Sequence, residues 1–286
     1  MTYGVPYIGS KNACAQWVID HLPPGDRLVD LFAGGCAITH CALLTEKWPR
    51  MLANDIDSGP QLFYCAAHGR YRNENRWISR EDFFKLKDTD PYVRWCWSFG
   101  FDGASYLYGK DIEPYKQAVN EMLTAPTPRE RYDAYRRYMK MLEAAPEHVR
   151  GDKNQRLIEL ERLERLERLE RLERLERLEV SRLDYRDVQI KPGDVIYCDP
   201  PYRGTGAHYV KGFDFEAFYS WAESQTVPVI ISEYDMPGDR FECIAERERH
   251  DHLSATNKHR KVTERLFVPK TAQNSINLTN DKRQAI

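Results

Sequence analysis

Hydrophobic positions along this chain come in short runs separated by glycine, proline and acidic turns. Residues 27–32, Arg-Leu-Val-Asp-Leu-Phe, read as a buried strand, and Ala33-Gly34-Gly35 follows as a turn into an apolar stretch compatible with a helix. A second strand fits residues 51–53 and ends at Asn54-Asp55. That places an acid about twenty residues after the glycines, the spacing of a nucleoside-binding half of a doubly wound sheet. Residues 194–198, Asp-Val-Ile-Tyr-Cys, form another buried strand, introduced by Lys191-Pro192-Gly193 and halted by Asp199-Pro200-Pro201-Tyr202. A helix over 215–223, a strand over 227–232 and a closing strand over 260–269 complete the set. The polar residues from Thr271 onward read as a frayed tail. The predicted fold class is α/β.

Two segments break this rhythm. Residues 66–149 are rich in Arg, Tyr and Trp and read as a mostly helical insertion, with helices over 112–123 and 128–143, the latter starting at Pro128 as a first helical residue. From Arg156 to Glu179 the sequence is almost pure Leu-Glu-Arg. On an α-helix a step of three advances about 300°, so successive leucines drift by roughly 60° and wind around the rod, which disfavours a two-stranded coiled coil. All three residue types are good helix formers, and Glu161 with Arg165 or Glu164 with Arg168 are favourable pairs one turn apart. The expectation is one helix of about 24 residues, roughly 36 Å long. It would serve as a spacer, a self-association element or an arm on the substrate, or be a tolerated insertion. Four parts result: a core of 1–65 and 180–270, an insertion of 66–150, a rod of 151–179 and a tail of 271–286.

The chain has 286 residues, enough for one α/β core with a smaller domain inserted in it. Its seven cysteines, Cys14, Cys36, Cys41, Cys65, Cys96, Cys198 and Cys243, form no CxxC pair and no zinc-finger spacing, which fits a reduced, cytoplasmic protein without a structural metal. No signal peptide and no stretch of 18 apolar residues is present, so no membrane partner is expected. A net charge of −2 requires any grip on nucleic acid to come from local clusters. Candidates are Arg70, Arg72 and Arg76 beside Trp77, then Arg136 with Arg137, and Lys258, Arg260 and Lys261.

Asp199-Pro200-Pro201-Tyr202 is the sharpest chemical signal. An exocyclic amine of a nucleobase is a poor nucleophile because its lone pair is delocalised into the ring. The Asp199 carboxylate and the Pro200 carbonyl are two acceptors that would take the amine hydrogens and free that pair for attack on a methyl sulfonium. Proline's fixed φ makes the turn a rigid frame for those carbonyls. Tyr202 would stack on a base extruded from its duplex.

With these motifs in order, the sequence resembles the DNA adenine methyltransferases of the Dam type, including those carried by phages and prophages. The matching pieces are Pro6-Tyr7-Ile8-Gly9-Ser10-Lys11, Asp30-Leu31-Phe32-Ala33-Gly34-Gly35, Asn54-Asp55-Ile56-Asp57, Asp199 to Tyr202, and Thr263-Glu264-Arg265-Leu266-Phe267-Val268. The resemblance implies a Rossmann-like methyltransferase sheet with a helical target-recognition insertion. It implies S-adenosylmethionine as cofactor, double-stranded DNA as partner, and methyl transfer to N6 of a flipped-out adenine without a metal. By resemblance, Tyr7 and Lys11 line the cofactor pocket with Asp30 and Phe32, Gly34 and Gly35 admit the methionine part, and Asp55 holds the ribose hydroxyls. Asp184 and Tyr185 match the family's contact to the cofactor's adenine, Asp199 faces both cofactor and base, and Asp199, Pro200 and Tyr202 are the catalytic set.

The chain departs from the family at Cys36, where the glycine turn usually has a third glycine, and at Asp57, where Asn is common. His208 and Tyr209 lie in a segment that reads either as a loop closing on DNA or as a solvated loop. Two alternatives stay open from sequence: an RNA base methyltransferase, since Asp-Pro-Pro-Tyr-like turns also serve bases in RNA, and a DNA-binding or scaffold protein with a degenerate methylase domain whose rod is the working part.

Overall fold

The computed structural model describes residues 2–146, 149, 157–203, 212–251 and 260–270, without the side chains of 249–251 and 260–262. His208, Tyr209, Lys258, the first residues of the rod and the tail from Thr271 lie outside the described residues, as do the side chains of Arg260 and Lys261. The chain divides into two compact units. The first comprises Met1–Gly4, Ser10–Gln61 and Glu173–Ile286; the second comprises Val5–Gly9 and Leu62–Leu172.

The first unit holds a seven-stranded sheet of order β3-β2-β1-β4-β5-β7-β6. Its strands are β1 (Arg27–Asp30), β2 (Arg50–Asn54), β3 (Leu178–Ser181), β4 (Asp194–Cys198), β5 (Val229–Glu233), β6 (Phe241–Asp251) and β7 (Arg260–Pro269). The first five are parallel, and β7 runs antiparallel to both β5 and β6. Every residue of β1, β4 and β5 is buried, which is why these strands appear in the sequence as continuous apolar runs and not as alternations. Helix α1 (Ala15–His21) precedes β1, α2 (Ala37–Leu43) connects β1 to β2, and α9 (Phe215–Ser224) precedes β5. Phe218, Tyr219 and Ala222 of α9 pack with Val29, Ile196, Val229 and Ile231 in one core cluster.

Register between β1 and β4 is fixed by charge as well as by hydrophobicity. Arg27 and Asp194 are directly paired across the two strands, and the guanidinium grips the carboxylate through Nε at 3.0 Å and Nη2 at 2.6 Å. Asp194 Oδ2 also accepts the Lys191 N–H at 2.7 Å, so the lead-in turn is tied to the same pair. A slip of one residue would separate two buried charges.

The predicted strands 27–32, 51–53, 194–198, 227–232 and 260–269 all occur, the third and fifth with the same ends and the others with ends shifted by one or two residues. Strand β6 was not predicted: Phe-Glu-Cys-Ile-Ala-Glu-Arg-Glu-Arg carries five charges on a hairpin arm and has little apolar alternation.

In the second unit, α6 (Glu113–Thr124) and α7 (Pro128–Glu143) match the predicted pair. Thr127 and Glu130 form a capping box that starts α7, with Thr127 Oγ1 accepting the Glu130 N–H and Glu130 Oε2 accepting the Thr127 N–H. Short helices α4 (Arg80–Leu86) and α5 (Pro91–Cys96) escaped prediction because each covers barely two turns. Their caps, Ser79 and Asp90-Pro91, were the readable signal. Two of the three expected phosphate-facing arginines are already paired within this unit, Arg72 with Glu170 at 2.7 Å and Arg76 with Asp90 at 2.6 Å, and Arg137 pairs with Glu121 at 2.6 Å.

The Leu-Glu-Arg segment is not one rod. A helix, α8, covers Ile158–Leu169; the chain then turns through Arg174 at φ +62°, makes a short 3₁₀ turn over Leu175–Arg177, and enters β3 at Leu178. The reason lies in the period. Buried positions of α8 are Glu159, Arg162, Leu163, Leu166 and Leu169, a true helical face. Leucines spaced by three sweep across such a face by roughly 60° per triplet, so about three of them share it before the next, Leu172, rotates off. Where the leucine row has not yet reached the face, Glu159 and Arg162 occupy it and need polar partners. Glu159 accepts the Tyr108 hydroxyl and the Asn120 amide, and Arg162 Nη1 donates to the carbonyls of Cys96 at 2.7 Å and Ser98 at 2.8 Å.

Candidate active site

The sheet order reverses at β1: the chain passes outward through β2 to β3, then returns to β4 on the other side of β1. In open parallel sheets the crevice at such a reversal, beyond the carboxyl ends of the strands, is where ligands bind. Two loops emerge there from adjacent strands. The glycine turn follows β1 and Asp199-Pro200-Pro201-Tyr202 follows β4, with Asp30 paired to Tyr197 and the Leu31 N–H donating to the Tyr197 carbonyl at 2.9 Å.

The glycine turn is held by acids from both sides. Asp55, one residue beyond β2, accepts the Gly34 N–H on Oδ2 at 2.8 Å and the Asp57 N–H on Oδ1 at 2.8 Å. Asp30 Oδ2 accepts both the N–H and the hydroxyl of Thr39, while its Oδ1 is buried without a hydrogen-bond partner among the described residues. Burial lifts the Asp30 carboxyl to about 7, with Asp199 and Asp55 adding to the rise, and lifts Asp55 to about 6. Gly34 adopts φ +48° and Cys36 φ +59°, so the third position of the turn is left-handed even with a side chain on it. Gly4 presses on the same turn: a Cβ there would lie 2.2 Å from the Gly35 carbonyl oxygen.

Asp199 is 17% exposed and its Oδ1 lies 2.8 Å from the Lys11 ammonium. Lys11 is also 3.7 Å from Glu264, a carboxylate on β7 with no exposed side-chain surface, and sits over the Tyr202 ring at 4.4 Å from its centroid. The Tyr202 hydroxyl donates to Glu264 Oε1, and the Tyr234 ring packs edge-on against Tyr202. Burial raises the Asp199 carboxyl above the usual carboxylate range, and the Lys11 ammonium offsets part of that rise. Lys11 is held above the usual lysine range because its two carboxylate neighbours outweigh its desolvation. At the end of β5, Glu233 accepts the N–H groups of Tyr234 and Arg203, and burial brings it to about 7.

Of the residues expected from sequence, Lys11, Asp30, Phe32, Gly34, Gly35, Asp55, Asp184, Tyr185, Asp199, Pro200 and Tyr202 all belong to the sheet unit, whereas Tyr7 belongs to the other, its ring 4.4 Å from that of Trp95. Lys11 is not solvated but buried between carboxylates. Phe32 and Tyr185 lie together, 5.5 Å apart, beside Phe213 and Phe218. Asp184 caps the short turn after β3, and both its oxygens are engaged by Arg186. Glu264 and Glu233 had no role assigned from sequence. The readable signal was phase: Glu264 shares a strand face with Leu266 and Val268, and Glu233 with Val229 and Ile231, so each is a charge at an inward position.

The profile of the D12 class N6 adenine-specific DNA methyltransferases matches residues 7–87, which span Tyr7, Lys11, the glycine turn and Asp55. A DNA adenine methylase of retron Ec67 from Escherichia coli is 24% identical over 251 residues, covering 80% of this chain and 76% of that protein. Among the described residues no helix is long and apolar enough to cross a membrane. With the glycine turn and the Asp-Pro-Pro-Tyr turn following neighbouring strands at the sheet's reversal point, the chain is similar to the D12 class N6 adenine-specific DNA methyltransferases over residues 7–87 and to a retron DNA adenine methylase over most of its length.

Proposed function

We propose that this chain transfers the methyl group of S-adenosylmethionine to N6 of an adenine flipped out of double-stranded DNA, at the crevice beyond β1 and β4. The observation that carries the reading is the emergence of the glycine turn and of Asp199–Tyr202 from neighbouring parallel strands in register. The residues present fit the cofactor. Asp30 offers a buried carboxylate oxygen with no hydrogen-bond partner among the described residues, and Asp55 adds a second acid beside the turn, a pair suited to a cationic ligand with hydroxyl groups. Phe32 and Tyr185 supply an aromatic wall for a purine. Bound there, the cofactor supplies an electrophilic methyl group on a sulfonium sulfur.

The chain's own residues prepare the nucleophile. Because Lys11 occupies Asp199 Oδ1, the other oxygen, Oδ2, accepts one amine hydrogen and the Pro200 carbonyl accepts the second. Both bonds pull the nitrogen lone pair out of conjugation. Asp199, whose basicity burial has raised, then takes the proton that the nitrogen loses once it is methylated. Asp199→Ala is expected to abolish N6-methyladenine formation, a loss of at least about a thousandfold in kcat, with an unchanged circular dichroism spectrum. Mass spectrometry of nucleosides from DNA and RNA substrates makes the measurement; activity retained in the variant, or methyl groups found only in RNA, would end this assignment.

A further inference from the structure

Glu264 stands outside every role assigned so far. It is fully buried on β7, a strand adjacent to neither β1 nor β4, yet two members of the acceptor site end on it: the Lys11 ammonium at 3.7 Å and the Tyr202 hydroxyl. Lys11 therefore lies between two carboxylates, nearer to Asp199 than to Glu264. A buried carboxylate with an ammonium and a phenol as neighbours is costly to place and gains nothing as a surface pair would. The Tyr202 anchor also ties the Asp-Pro-Pro-Tyr turn to a strand of the antiparallel edge.

We propose that Glu264 is a positioning residue for methyl transfer: by sharing Lys11 with Asp199 and fastening the Tyr202 hydroxyl, it fixes the orientation and the charge of the oxygen that accepts the amine hydrogen. Sharing matters because an ammonium committed wholly to Asp199 would make that carboxylate a weaker acceptor. No ammonium at all would let burial raise its carboxyl further. The titratable groups coupled to Asp199 come from several elements: Lys11 before α1, Asp30 on β1, Asp55 after β2, Tyr197 and Cys198 on β4, Tyr202 in the turn, Glu233 on β5 and Glu264 on β7, while Cys14 acts on Lys11. Only Lys11 among them is positively charged, and Glu264 is one of its two carboxylate neighbours.

This inference rests on Asp199 as the amine acceptor, so the wild type and Asp199→Ala are compared first; an active Asp199→Ala would remove that reading, whereas a failure confined to Glu264 leaves it standing. The test is the pH profile of single-turnover methyl transfer to a duplex oligonucleotide in Glu264→Gln and Lys11→Met. Glu264→Gln keeps an acceptor for the Tyr202 hydroxyl but removes one negative charge, so Lys11 turns fully to Asp199. The expected result is a tenfold or greater fall in the rate at saturating S-adenosylmethionine, cofactor affinity within twofold, and an acidic limb moved to lower pH. Lys11→Met removes the cation beside Asp199 and moves the same limb to higher pH. Glu264→Asp, which keeps the charge at shorter reach, recovers part of the rate and returns the limb toward the wild-type position, and it serves if the Gln variant does not fold. Limbs that move the same way, or not at all, overturn the proposal, as does a loss explained by a smaller folded fraction alone.

Discussion

At the scale of single residues the site is rich in acids: Asp199 and Glu264 flank the Lys11 ammonium, and Asp30, Asp55 and Glu233 are near enough to Asp199 to feel its charge. The raised carboxyls at Asp30, about 7, and Asp55, about 6, have a consequence for binding. A cationic donor binds the ionised form, so it lowers both values and releases protons as it binds. Affinity for S-adenosylmethionine is thus expected to rise from about pH 5 to about pH 8 and to level off above, and Asp30→Asn should flatten the upper part of that rise. Calorimetry in buffers of different ionisation enthalpy reads the released protons directly. An affinity that ignores pH would mean that neither acid meets the cation.

Elements show what could be read in advance and what could not. Strands β1, β2, β4, β5 and β7 were legible because they are bounded runs of apolar residues ending in glycine or acidic turns, and the site loops were legible because they sit at the ends of those runs. Strand β6 and helices α4 and α5 were not, being short or charged, and Glu264 hid in a strand whose other residues look ordinary. The repeat misled for a sharper reason: local propensity favours a helix at every triplet, but burial follows 3.6 residues per turn and the leucines do not. Chemically equivalent positions should therefore differ greatly in worth. Arg162→Ala, which strips donors from two buried carbonyls and leaves Glu159 with fewer charged neighbours, is expected to cost about 2–4 kcal/mol. Arg168→Ala, at a side chain 68% exposed, should fall within about 0.5 kcal/mol. Denaturant titrations of the two variants decide it, and equal losses would contradict the burial pattern.

For the molecule as a whole, the sheet's order does most of the chemical work, since reversal at β1 is what brings two loops distant in sequence to one crevice. The net charge of −2 and the acids of that crevice mean that attraction for the DNA backbone has to come from elsewhere on the surface. The repeated segment adds something of a different kind. Its reading of one triplet as helix, turn and strand is set from outside, by Glu159 at the front and by Val180 and Ser181 pairing with β2 at the back. A gene that gains nine nucleotides here yields the same protein wherever the copy arose. The surplus residues are expected to settle in the stretch between Leu169 and Leu178, where lengthening a loop costs only about 0.6 kcal/mol per doubling. A chain carrying one extra Leu-Glu-Arg is expected to melt within about 2 °C of its parent and to keep its methylating activity. Alleles differing in copy number would then be interchangeable, and the tract would be free to lengthen between generations without being felt.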